Sequence, residues 1–154
     1  QQAYITKADA IAKKGILRMS GCTACEGERC LQCSTACENC ADSCPNRANV
    51  VIAMADGSHQ ILHVDKMCNE CGNCATFCPY GSRPYQDKFT LFWSADDFEN
   101  SRNEGFLRLE VGRTRVRLGG QVADYDVSDA ACGLYDPLRR LICAVYENYA
   151  YLLG

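Results

Sequence analysis

The chain has 154 residues, 16 basic and 19 acidic side chains, a formal charge of −3 and thirteen cysteines. That length suits one domain or two small ones, and without eighteen consecutive apolar residues no membrane span is expected. The acidic balance argues against general nucleic-acid binding, and an odd cysteine count with no secretory segment argues against a disulfide scaffold. The chain begins with Gln1 rather than Met, which fits a processed or excised piece of something longer.

In chain order, Ile5, Ala8, Ile11, Ala12, Ile16 and Met19 recur at a helical interval. Thr6 and Asp9 are spaced as a capping box, Lys13, Lys14 and Arg18 suit the helix C-terminus, and Gly21 can end it. Such a helix leads straight into the cysteines and is expected to cover a site that they form. Cys22-x2-Cys25-x4-Cys30 comes next, at ligand-like intervals. A third metal, with Cys132 or Cys143 as its fourth ligand, a structural zinc, and unligated thiols all fit these residues.

Two denser runs come after them: Cys33-x3-Cys37-x2-Cys40-x3-Cys44-Pro45 and Cys68-x2-Cys71-x2-Cys74-x3-Cys78-Pro79. A [4Fe-4S] cube takes one thiolate per iron. Three cysteines on a tightly curled loop reach three corners, and the fourth corner needs a ligand from elsewhere. Structural zinc sites usually join two separated knuckles, so four cysteines in one short run suit a cube better. The proline after each run fixes the backbone as the chain leaves. Between the runs, residues 48–64 read as a hairpin, with Val50, Val51, Ile52 and Met54 going out, a turn at Asp56-Gly57, and Ile61, Leu62 and Val64 returning. His59 and His63 lie on the returning strand. With eight cysteines filling two sites, these histidines are expected to face solvent or to be hydrogen-bonded rather than to ligate.

After Pro84 the cysteines thin out, and a boundary is expected near residue 85. Phe89 to Trp93 reads as a strand, Ser94 with Asp97 caps a short polar helix, and residues 106–111, 114–118 and 121–127 alternate as three more strands. Gly112-Arg113 is a plausible turn. Asp136 as cap and Pro137 at the first position open a last helix, whose stripe is Leu138, Leu141, Ile142, Val145, Tyr149 and Leu152. Arg108, Arg113, Arg115 and Arg117 cluster on the hairpin. They read first as a solvated strand face and second as a docking patch for an acidic partner or a nucleotide phosphate.

Residues 33–84, with Cys-Pro-Asn-Arg-Ala after the first run, Gly72 inside the second and Gly81 after it, resemble the two-[4Fe-4S] clostridial-type, or bacterial-type, ferredoxins. In two-cluster ferredoxins the cysteine before each proline ligates the other cluster. On that rule Cys33, Cys37, Cys40 and Cys78 hold one cluster, and Cys68, Cys71, Cys74 and Cys44 hold the second. The x3 interval after Cys33 departs from the usual x2, so either that loop carries an extra residue or Cys30 replaces Cys33. Arg-Cys-Leu-Gln-Cys, Cys-Pro-Asn-Arg-Ala-Asn-Val-Val-Ile and Asp-Lys-Phe-Thr-Leu-Phe-Trp-Ser-Ala-Asp-Asp-Phe-Glu-Asn carry a second resemblance. They are similar to the C-terminal part of the selenate reductase iron-sulfur subunit family, flavoproteins related to the glutamate synthase small subunit. That family's flavin- and nicotinamide-binding domains have no counterpart here, since no Gly-x-Gly-x-x-Gly follows a strand.

The expected fold is α+β: residues 1–32 as an N-terminal helix and extra cysteine segment, residues 33–84 as a ferredoxin-like two-[4Fe-4S] domain, and residues 85–154 as a small β-rich region with a C-terminal helix that could dock a partner. The expected function is single-electron relay between a flavin/NAD(P)H module and a terminal oxidoreductase, one containing molybdenum being a candidate. Two alternatives stand beside it: an iron-sulfur enzyme whose third cluster binds substrate, and a docking module whose clusters are structural. No catalytic base or nucleophile is evident. Free thiols and clusters imply a reducing compartment, so the cytoplasm is expected.

Overall fold

The computed structural model describes residues 37–110 and 112–154. The helix expected over residues 4–19, and Cys22, Cys25, Cys30 and Cys33, lie outside the described residues. Six strands form one sheet in sequence order: β1 (Asn49–Ala53), β2 (His59–Val64), β3 (Thr90–Phe92), β4 (Gly105–Glu110), β5 (Arg113–Leu118) and β6 (Gln121–Asp126). β1 and β2 form an antiparallel hairpin, β2–β3 and β3–β4 pair in parallel, and β4, β5 and β6 are antiparallel. The chain is thus mixed α/β. β2 and β3 pair across residue 85, so the two halves share one sheet.

Parallel neighbours need a long crossover, because the chain must return to the same end of the sheet. The second cysteine run supplies the first crossover. It carries the short helices α2 (Asn73–Thr76) and α3 (Pro84–Asp87), matching α1 (Asn39–Asp42) in the first run. The second crossover holds α4 (Ala95–Asn100), capped as expected by the Ser94 hydroxyl accepting from the Asp97 N–H at 3.1 Å.

The alternation of β1 and β2 assigns the two faces. Register pairs Asn49 with His63 and Val51 with Ile61, while Val50 faces Leu62 and Ile52 faces Gln60. One face carries Ile61 and Val51 against Cys40 and Cys74, and farther along it Phe92, Phe98 and Leu107 pack together under α4. The other carries Ile52, Leu62, Val64, Leu91, Phe106 and Val116 against Leu138, Leu141, Ile142 and Val145 of α5 (Asp136–Asn148). The expected helix stripe therefore packs on strands from both halves of the chain. Phe106 stacks on Phe89 and meets Tyr146 edge-on, and the Tyr146 and Thr114 hydroxyls bond at 2.6 Å.

Three local expectations are corrected. Arg113 is already in β5, paired with Asp126, and so is not a turn residue, while Gly112 takes φ +81°. Asp136 is the first residue of α5 and not its cap. Its carboxylate is held by Arg139 at 3.1 Å and Arg140 at 2.8 Å instead of by helix N–H groups. The α-helix stops at Asn148, and Leu152 reaches the core from a separate 3-10 turn over Ala150–Leu153.

The arginines of the β5 hairpin are largely engaged within the fold. Arg115 makes a two-pronged pair with Asp124 at 2.8 and 3.0 Å, which holds the Asp124 carboxyl below its ordinary range. Arg117 donates to the carbonyls of Phe98 and Ser101 at 2.7 Å, satisfying the exposed end of α4, and lies 4.0 Å over the Phe98 ring. Arg108 stands over Tyr146.

Two substitutions test this packing. A Cβ on Gly105 would sit 2.1 Å from the Thr90 carbonyl oxygen, a backbone atom of the neighbouring strand that cannot swing away. Gly105→Ala is expected to lower stability by about 1–3 kcal/mol in urea denaturation. Arg117→Ala should cost about 2–3 kcal/mol through the unpaired carbonyls, and Arg115→Ala, on a solvated pair, distinctly less.

Candidate metal centre

The two cysteine runs fold alike, bond for bond. In the first, Ala41 and Asp42 N–H donate to the Glu38 carbonyl, Ser43 to Asn39, Cys44 to Ala41 and Arg47 to Cys44. In the second, Ala75 and Thr76 donate to Gly72, Phe77 to Asn73, Cys78 to Ala75 and Gly81 to Cys78. Cys40 and Cys74 occupy the same place in each repeat, buried on their one-turn helices. Gly81 takes φ +69°, and its counterpart Arg47 takes φ +53°. That conformation suits glycine, so Arg47 holds it against its own preference.

The repeats are brought side by side on one face of the hairpin. Cys40 and Cys74 share an apolar cluster with Ile61, flanked by Val51 and Tyr85. Asn39 Nδ2 reaches the Phe77 carbonyl at 3.5 Å, tying α1 to the residue before Cys78. Burial pushes the Cys68 thiol above its ordinary value, the Glu70 N–H opposes this, and the sulfurs of Cys74 and Cys44 raise it further. Cys44 of the first run thus lies within electrostatic reach of Cys68, beside Cys74 of the second.

Backbone donors already point at two of the sulfurs. Ala48 N–H meets Cys44 Sγ at 3.2 Å and Glu70 N–H meets Cys68 Sγ at 3.3 Å. Glu70 takes φ +53° to make its bond. Cys37, Cys44, Cys68 and Cys78 are half-buried and Cys71 is exposed. Among the described residues, no three Cys, His, Asp or Glu side chains converge as ligands of a single ion would. A single zinc needs its ligands at about 2.0–2.3 Å from one point, whereas a cubane spreads four thiolates over four irons. The all-thiolate donor set is of the kind a cubane would take.

Cys132 and Cys143 stand apart. Both pack on the α5 side of the sheet, opposite the cysteine runs. Cys143 Sγ donates to the Val127 carbonyl at 3.3 Å, and burial pushes its thiol up, with Arg139 opposing. In this position Cys143 acts as a small core side chain.

The two histidines diverge. His59 is exposed, whereas His63 is 1% exposed and its Nδ1 lies 2.9 Å from Asn49 Oδ1. Asn49, 4% exposed, donates in turn from Nδ2 to the Cys40 carbonyl at 3.0 Å. Sequence reasoning missed Asn49. The period of two was the available signal, since Asn49 shares a face with Val51 and pairs with His63.

Over 136 residues the chain is 47% identical to proteins named "Putative oxidoreductase YgfK" from Escherichia coli K12 and from Escherichia coli O157:H7. The match takes in 84% of this chain. The chain is a relative of these proteins. It spans 13% of their length, so their activity as whole proteins is not thereby this chain's. No family model and no solved structure matches the chain. Among the described residues, no helix is long and apolar enough to cross a membrane.

Burial pushes the His63 pKa down to about 4 from an ordinary 6.5. The unfolded chain takes up a proton near pH 6.5 while the folded one resists, so stability is complete above that pH and falls as pH drops toward 4. The loss should approach about 3 kcal/mol in the metal-free chain. Urea titrations at several pH values should show that slope in the wild type and its disappearance in His63→Leu.

Proposed function

We propose that this chain is the electron-relay portion of an oxidoreductase and holds two [4Fe-4S] clusters. One is held by Cys33, Cys37, Cys40 and Cys78, the other by Cys68, Cys71, Cys74 and Cys44. The observation that carries this reading is that the two cysteine runs share their backbone hydrogen bonds and bring Cys40 and Cys74 into one apolar cluster on the hairpin. The oxidoreductase name of the relatives supports a redox role in general.

When bound, such clusters supply one-electron couples of low reorganisation cost. The chain's own residues do the rest. Eight thiolates fix the spacing, and the Ala48 and Glu70 N–H groups direct partial positive charge at Cys44 and Cys68 sulfur. Ile61, Val51 and Tyr85 keep water from one side of Cys40 and Cys74. The proposed electron donor is a flavin-containing domain or subunit and the proposed acceptor a terminal oxidoreductase, a molybdenum hydroxylase among the candidates. A reducing compartment, the cytoplasm, suits a chain with thirteen cysteines and exposed clusters.

The test is a single substitution read by metal content. In anaerobically prepared protein, Cys44→Ser should remove about four irons and four sulfides from the cluster whose other ligands lie in the second run, with the remaining cluster intact. Loss of no iron, or zinc in place of iron in the wild type, would overturn the assignment.

A further inference from the structure

We propose that Asn49, oriented by His63, is a positioning residue that sets the reduction potential of the cluster bound by Cys40 and leaves the other cluster's unaffected. This deepens the relay reading and rests on it. The basis is an asymmetry between two runs whose helix backbone hydrogen bonds correspond. Cys40 and Cys74 share position, helix and burial, and the backbone bonds around them correspond one for one. Yet the Cys40 carbonyl accepts from a buried side-chain amide, while among the described residues no side chain donates to the carbonyl of Cys74.

The chain of contacts has a defined direction. Asn49 Nδ2 donates to the Cys40 carbonyl at 3.0 Å, which leaves Asn49 Oδ1 as the acceptor at 2.9 Å from His63 Nδ1. His63 is therefore the donor at Nδ1. Asn49 and His63 are directly opposed across the hairpin, so two adjacent strands lock the amide and keep it from turning over. All three residues are at most 5% exposed, and in such surroundings a dipole acts with little screening.

Reduction adds one electron, from an external one-electron donor, to a cluster that already carries negative charge. No bond forms or breaks. The Asn49 N–H draws electron density from the Cys40 peptide and presents positive charge on the cluster side of the sheet. It therefore favours the reduced state. The Asn49 amide thus raises the potential of the cluster bound by Cys40, as the Ala48 and Glu70 N–H groups raise that of the cluster bound by Cys44 and Cys68.

The experiment uses the full chain, prepared anaerobically and titrated with dithionite under spectroscopic detection of each reduced cluster. Asn49→Leu keeps the branching and heavy-atom count of the side chain and removes the donor. It should make one cluster about tenfold harder to reduce, which is about 59 mV for one electron, and leave the other unchanged at wild-type iron content. His63→Gln, which can still donate to Oδ1, should behave as the wild type, and His63→Leu should reproduce part of the shift. Unchanged potentials at full iron content, or equal shifts in both clusters, would overturn the inference. Loss of iron by Asn49→Leu and both His63 variants alike would also overturn it, by reducing Asn49 to a structural tether. A wild-type chain that binds no iron would instead overturn the relay reading itself.

Discussion

Period-two alternation in one hairpin is the constraint on which the rest depends. β1 and β2 send Ile52, Leu62 and Val64 to the α5 core and Val51 and Ile61 to the cysteine runs. A one-residue slip would exchange the two sets and abolish both layers at once. The hairpin is held in register by its own turn, where Met54 N–H bonds the Ser58 carbonyl at 2.8 Å and Gly57 takes φ +82°. Each face then meets a different demand. The α5 side buries apolar area, which is where most of the folding free energy of a domain arises. The other side provides a dry wall against which two short loops can bring their sulfurs together.

Those loops are too short to be stable alone, since one-turn helices lack the length for cooperative helix formation. They are instead anchored to the sheet. The second run is the crossover between parallel strands β2 and β3, and the first leads directly into β1. Attachment to a single sheet explains how residues as distant in sequence as Cys40 and Cys74 share one apolar cluster. It also ties the sheet's integrity to the geometry of the proposed centre. The polar thread from His63 through Asn49 to Cys40 is a direct mechanical link between them.

Much of this was legible in the residues. The hairpin over 48–64, the Ser94 cap, the three later strands and the apolar stripe of the last helix follow from periodicity and turn chemistry, and the described elements carry them. What was not legible is long-range. That β2 pairs with β3, making one core of two expected segments, depends on which edge a three-residue strand meets, and a strand so short carries almost no pattern. Arg117 read as a surface charge because its partners are backbone carbonyls of α4, invisible in a residue list. Asn49 fell within the expected hairpin without a role of its own, and its role depends on a histidine from the opposite strand. In each case local signals place the residue on a strand, and the partner is set by topology.

The central claim is that the cysteine runs carry electrons, and counting electrons tests it most directly. An anaerobic reductive titration of the intact wild-type chain should consume about one electron for each cubane bound, about two per chain for two cubanes, with iron and labile sulfide in matching amounts. Uptake of no electrons by a chain whose thiols hold zinc would contradict the account.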